Sequence, residues 1–273
     1  MDLRAALAAA RAGSEVGLVP TMGALHGGHE ALLRRARDEC DVVVASIFVN
    51  PAQFGADEDL DAYPRDEQGD IRAAEAWGVD QLFVPSVEEM YPDGFQTWVD
   101  VERAAEGLEG AARPGHFRGV ATVCLKLFNI VLPQRAYFGQ KDAQQVMVIE
   151  RMASDLAMPT RVIPCPTVRE PDGLAISSRN VHLTPEERSV APVVYRALVG
   201  GKSACEQGER DAEALRDRMR EVLAAEPLVR VEYVSCADAA TLRELRRIEG
   251  PALLSLAVVL GTTRLIDNVR LDG

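Results

Sequence analysis

Val16-Gly17-Leu18-Val19-Pro20, then His26-Gly27-Gly28-His29, then Asp41-Val42-Val43-Val44-Ala45-Ser46-Ile47-Phe48-Val49 is the stretch on which the fold turns. The first and last of these runs are apolar and rich in β-branched residues, and read as buried strands. The span Gly28 to Glu39 between them reads as a helix with Leu32, Leu33 and Ala36 turned inward. Strands this continuously apolar fit a parallel sheet covered on both faces, because a sheet wetted on one side alternates apolar with polar. The rhythm continues with a helix near Glu67 to Trp77, a short strand at Gln81 to Val84 and a helix from Gly119 to Val131. A strand at Arg135 to Phe138, a helix from Ala143 to Leu156 and a strand at Thr160 to Ile163 follow. Such repetition predicts a doubly wound, Rossmann-like α/β sheet, in which ligands sit at the carboxyl ends of the strands.

Beyond Pro164-Cys165-Pro166 the character changes. Helices at Pro185 to Val199 and Asp211 to Ala225 precede strand runs at Val229 to Ser235 and Leu253 to Leu260, which predicts a smaller α+β domain. The boundary falls near 168 to 175, giving domains 1–170 and 171–273.

The 273 residues are 47% hydrophobic and 26% charged, the balance of a soluble globular protein, and no apolar run approaches the roughly 20 residues that span a bilayer. Met1 to Leu7 lacks the apolar centre of a secretory signal. Five scattered cysteines without metal-ligand spacing read as reduced thiols in a cytoplasm. A net charge of −12 argues against general affinity for nucleic acid, so a site for a small anion must supply its own cations.

Two of the four histidines fall in His26-Gly27-Gly28-His29, the others being His116 and His182. Imidazoles three apart at the start of a helix project from one face, and the glycines let a ligand approach the backbone. The helix N-terminus adds unpaired N–H groups and partial positive charge, which suit a polyphosphate. After the second strand, Asn50 and Gln53 offer amides that can orient a hydroxy acid without adding charge. In Gly139-Gln140-Lys141-Asp142 the glycine permits a tight turn, Lys141 is a point charge for phosphate, and Asp142 can cap a helix or hold a ribose or metal-bound water. Ser177-Ser178-Arg179-Asn180 can place hydroxyls and a guanidinium around an anion. Taken singly, each segment also fits a polar turn or a helix cap. Four of them at strand ends or at the domain junction point to one site.

With Phe48 to Phe54, Tyr63-Pro64-Arg65, Phe138 to Asp142 and Ser177 to Asn180 added to Pro20 to His29, the chain resembles the pantoate–beta-alanine ligase (pantothenate synthetase) family. The resemblance is densest from about 16 to 185. It implies ATP-dependent condensation of (R)-pantoate with β-alanine through a pantoyl adenylate, with release of AMP and pyrophosphate. It also implies a homodimer, and magnesium entering with ATP. His29, His26, Lys141 and Arg179 match catalytic positions, and His29 the catalytic acid. Met22, Gly23, Ala24, Leu25, His26, Gly27, Gly28 and His29 match the ATP site. Gly139, Gln140, Lys141, Asp142, Val168, Ile176, Ser177, Ser178 and Arg179 complete it, Val168 through its backbone. Gln53 and Gln145 match pantoate-holding positions, joined by Asn50, and Asp70 is a candidate for outer-shell contact with the metal. The stretch Leu108 to Phe117 resembles a mobile loop over the site, with Arg113 and His116 ordering on closure.

An imidazole near its ordinary pKa of about 6.5 would donate to phosphate in either charge state. The chain departs from the family pattern at Ile176, where Met is common, at Gln140, where Glu is common, and at Ala143, where Tyr is common. Ile176 preserves apolar volume, whereas the changes at Gln140 and Ala143 remove a charge and an aromatic ring and bear on ATP affinity more than on reaction type. Two other readings fit the motifs: another adenylating ligase or nucleotidyltransferase with the same ATP site, and a nucleotide sensor without turnover.

Overall fold

The computed structural model describes residues 3–8, 13–56 and 58–272. The Ala-rich opening forms α1 at Leu3–Ala8, while its first two residues, together with 9–12, lie outside the described residues. The chain divides into two compact units, Met1–Gln140 with Gln144–Pro166, and Lys141–Ala143 with Thr167–Gly273.

The first unit is built on five parallel strands: β1 (Val16–Thr21), β2 (Val42–Ile47), β3 (Gln81–Phe83), β4 (Arg135–Gly139) and β5 (Arg161–Cys165), in the order β3-β2-β1-β4-β5. This is the doubly wound order that the sequence rhythm predicts, with its switch point between β1 and β4. The connecting helices are α2 (Gly27–Glu39), α3 (Glu67–Ala76), α4 (Val87–Met90), α5 (Leu108–Ala112), α6 (His116–Val131) and α7 (Ala143–Asp155).

Successive strand residues go to opposite faces, and both faces are apolar. Leu18, Val44, Ala136 and Phe138 pack with Val120, Leu127 and Phe128 of α6 and Ile149 of α7. Val19, Val43, Ala45 and Tyr137 pack with Leu32, Leu33 and Ala36 of α2. Burial on both sides explains why β2 shows no alternation in its sequence.

The second unit holds α8 (Pro185–Val190), α9 (Val193–Glu206) and α10 (Ala212–Ala224) with an antiparallel sheet of β6 (Val229–Asp238), β7 (Ala252–Leu260) and β8 (Thr263–Leu271). Every residue of the central strand β7 is buried. Leu254, Leu256 and Val258 pack with Ala197 and Leu198 of α9 and Leu215 and Met219 of α10.

Three local expectations need correcting. The single helix expected from Pro185 to Val199 is two, because Pro192 has no N–H to continue the first. Leu108 to Phe117 is not a plain loop, since it contains α5 and the first two residues of α6. The strand β8 is an addition to the two strand runs that the sequence predicts for this unit.

Candidate functional site

The histidine motif is a helix cap made of imidazoles. His26 is the N-cap of α2, and its Nδ1 accepts from the Gly28 N–H at 3.1 Å. The His29 Nδ1 reaches back and accepts from the His26 N–H at 3.3 Å, closing a capping box. The rings lie 4.1 Å apart, tilted by 31°. A ring nitrogen that accepts a backbone N–H carries no proton, so each neutral imidazole bears its hydrogen on Nε2. A Cβ on Gly28 would stand 2.9 Å from His26 Cε1, so a larger residue there must displace the His26 ring from its cap. Burial first, and then the neighbouring His26, lower the His29 pKa to about 3. Of the two charge states allowed by sequence reasoning, the protein therefore holds the neutral donor.

The loop between β1 and α2 is fastened from below. Asp70 of α3 is buried, and its two oxygens accept from Ala24 N at 2.9 Å and Leu25 N at 2.7 Å. Ala24 has a φ of +50°, a left-handed conformation that costs an alanine about 1–2 kcal/mol and is held by this carboxylate. In Asp70→Asn one oxygen becomes an NH2 facing a backbone N–H. The expected result is a loss of about 1–3 kcal/mol in stability by urea denaturation.

Asn50 and Gln53 sit just beyond the end of β2 on a 3-10 turn at Pro51–Gln53. Asn50 is 1% exposed; its Oδ1 accepts from Ala52 N at 3.3 Å, and its Nδ2 donates to Gln53 Oε1 at 3.0 Å and Gly119 O at 3.2 Å. Helix α6 comes so close that a Cβ on Gly119 would lie 2.2 Å from Ala52 O. Gln53 Nε2 turns toward Met22 Sδ at 2.9 Å.

The Gln53 backbone is pinned by the segment that the sequence marks as a lid. Its carbonyl can only accept, so His116 Nδ1, 2.7 Å away, carries the proton, and His116 Nε2 accepts from Arg113 Nη1 at 3.2 Å. Arg113 Nε donates to both oxygens of Glu58, at 3.0 and 3.1 Å. At the other end of the segment, Gln144 accepts from Glu109 N at 3.0 Å and donates to the carbonyls of Ala104 and Glu106 at 3.1 and 3.0 Å. Its neighbour Gln145 is half-buried in the first turn of α7.

Burial first, and then the Arg113 charge, lower the His116 pKa to about 4. The folded state resists a proton that the unfolded chain takes up below its ordinary 6.5. This stability is therefore complete above pH 6.5 and lost as the pH falls toward 4. Thermal midpoints are expected to drop across that window, with a shallower slope in His116→Gln.

In the second unit, Arg169 Nη1 and Nη2 grip Asp267 at 2.6 and 2.9 Å, and Nη1 also donates to Gly173 O at 3.1 Å. The guanidinium lies 3.8 Å from the centre of the Tyr195 ring. This anchor fixes the turn after Val168, where Ile176 N donates to Val168 O at 3.0 Å. Ser177 caps the 3-10 turn Ser178–His182, accepting from Arg179 N at 3.3 Å. Lys141 O accepts from Asn268 Nδ2 at 2.9 Å, which ties the lysine segment to β8, and Lys141 Nζ lies 3.7 Å from Asp142 Oδ1. Among the described residues, no group of three or more His, Cys, Asp or Glu side chains is arranged to hold a metal.

The sequence profile described as Pantoate-beta-alanine ligase matches residues 1–270. The chain belongs to that family. It is 59% identical over 272 residues to the pantothenate synthetase of Roseiflexus castenholzii, covering 100% of this chain and 97% of that one. With the pantothenate synthetase of Chloroflexus aurantiacus it shares 60% over 266 residues, 97% and 95% of the two chains. The crystal structure of pantothenate synthetase from Thermus thermophilus superposes with a TM-score of 0.94 at 50% identity, over 98% of both chains. A Francisella tularensis pantoate-beta-alanine ligase, complexed with beta-gamma ATP and beta-alanine, superposes with a TM-score of 0.81 at 36% identity, over 98% of this chain and 94% of that one.

Sequence reasoning missed the supporting residues Glu58, Gln144, Asp267 and Asn268. Asp267-Asn268 left a signal, as a polar pair inside a segment otherwise spaced like a strand. Glu58 and Gln144 left none, because their partners are distant in the chain.

Proposed function

We propose that this chain condenses pantoate with β-alanine at the expense of ATP. A pantoate carboxylate oxygen attacks the α-phosphorus and pyrophosphate departs. The β-alanine amine then attacks the acyl carbon of the adenylate, AMP leaves, and the amine gives up a proton. The observation that carries this reading is the imidazole cap, which sets two Nε2–H donors at the start of α2, next to the β1 carboxyl end. Donors fixed in advance stabilise charge on a transferring phosphoryl group without reorganising.

In this reading His26 and His29 bind the phosphates, with Lys141 and Arg179 as the cations that an acidic chain must supply locally. Met22 to Gly28, Gly139 to Asp142, Val168 and Ile176 to Ser178 line the nucleotide, and Gln53, Gln145 and Asn50 orient the acid. Magnesium enters with ATP, held by phosphate oxygens and water. Asp70, already engaged by Ala24 and Leu25, has only its remaining lone pairs for a metal-bound water. The first domain (1–170) binds ATP and pantoate and the second (171–273) closes over the site, in a cytoplasmic homodimer. The Leu108 to Phe117 segment excludes water from the adenylate.

The test is pantoate-dependent exchange of pyrophosphate into ATP, followed by AMP release on adding β-alanine. Exchange with a different small acid and not with pantoate would select another adenylating ligase, and no exchange at all would select a sensor.

A further inference from the structure

We propose that Tyr91 is a positioning residue that fixes the Asn50–Gln53 amide pair and so presents Gln53 to the acid substrate as a hydrogen-bond donor. Tyr91 ends α4 and belongs to none of the motifs above. Its hydroxyl lies 2.8 Å from Asn50 Oδ1, the shortest of the four hydrogen bonds of the Asn50 side chain.

The direction of each bond follows from its neighbours. The Ala52 N–H can only donate and the Gly119 carbonyl can only accept, so Asn50 directs its oxygen to Ala52 and its NH2 to Gly119. The Tyr91 hydroxyl must then donate. Burial, the larger influence, and the nearby Cys124 push the phenol up to about 12, which keeps that proton in place. Lys126 Nζ, 5.8 Å from the ring centre, is the charged group that faces it from α6. The second Asn50 hydrogen is committed to Gln53 Oε1, which leaves Gln53 Nε2 on the side of Met22 Sδ. A thioether is a weak acceptor, readily displaced by a carboxylate or hydroxyl oxygen of the acid. Without the phenol, Asn50 Oδ1 keeps a single bond of 3.3 Å, and both amides loosen.

The ring has its own support, independent of the hydroxyl. It stacks on Trp98 at 5.9 Å and meets Phe95 edge-on at 5.1 Å. Tyr91→Phe therefore removes the bond and keeps the packing.

The proposal rests on the acid-activating function above, so the wild-type protein is assayed first for pantoate-dependent exchange; absence of exchange there would count against that function, not against Tyr91. In Tyr91→Phe the KM for pantoate is expected to rise about five- to tenfold, the worth of one hydrogen bond, with the KM for ATP unchanged and kcat within about threefold. A polyfluorinated tyrosine at position 91 keeps the shape and makes the phenol more acidic. Once ionised it repels Asn50 Oδ1, so its KM for pantoate is expected to climb as the pH passes the lowered phenol pKa while the wild type stays level. If Tyr91→Phe fails to fold, the fluorinated protein decides alone. A wild-type KM for pantoate in Tyr91→Phe, or a fluorinated protein that tracks the wild type at every pH, overturns the proposal.

Discussion

His29→Ala is expected to slow pantoate-dependent pyrophosphate exchange by about 10³-fold, within the range for loss of a preorganised donor or a general acid. Part of the damage is structural, because the His26 N–H loses its acceptor and α2 loses half of its capping box, worth about 1 kcal/mol. His29→Gln separates the two contributions. Glutamine suits the third position of a capping box, since its oxygen can accept the N-cap N–H while its NH2 still donates outward. Recovery to within about tenfold of wild type would assign His29 to hydrogen-bond donation. A rate as low as that of alanine would assign it to proton transfer, which requires bound phosphate to raise a pKa that burial otherwise holds at about 3.

The second large effect is on stability. Asp267→Ala is expected to cost about 3–5 kcal/mol, because it strands the Arg169 guanidinium, whose side chain is only 16% exposed beside an aspartate that is 1% exposed. For a chain of this size the thermal midpoint should fall by roughly 10 °C. Replacing both partners with apolar residues, Arg169→Met with Asp267→Leu, should restore much of the midpoint. It should leave the turn at Gly173 unanchored, so KM for ATP rises while stability returns. A single-variant loss below about 1 kcal/mol would show that the pair is solvated like an ordinary surface bridge.

The fold is most legible where burial is simplest. The β2 run from Val42 to Ile47 is buried on two faces, and its uniform composition announces that directly. β8 is hard to see for the converse reason. Its interior includes Asp267 and Asn268, whose burial is made tolerable by Arg169 and Lys141 O, groups far away in the sequence. The break at Pro192 has a plain sequence signal, the missing N–H, which the apolar spacing around it masks.

Within the candidate site, the imidazoles, amides and cations can be picked out by residue type and spacing. What each atom faces cannot. Nothing in the order of residues says that Asp70 spends both oxygens on the loop before α2, or that His116 carries its proton on the nitrogen facing Gln53. Those assignments come from contacts between segments 45 to 63 residues apart.

The imidazole cap also decides which guests the two histidines refuse. Two imidazoles 4.1 Å apart would ordinarily invite nickel, copper or zinc. Here the lone pairs that a metal would need are already spent on backbone amides, and the outward nitrogens carry hydrogen. Chelation would force both rings into the opposite tautomer and unseat the first turn of α2. The two bonds that leave each imidazole its Nε2–H donor thus also oppose chelation of a metal by the pair.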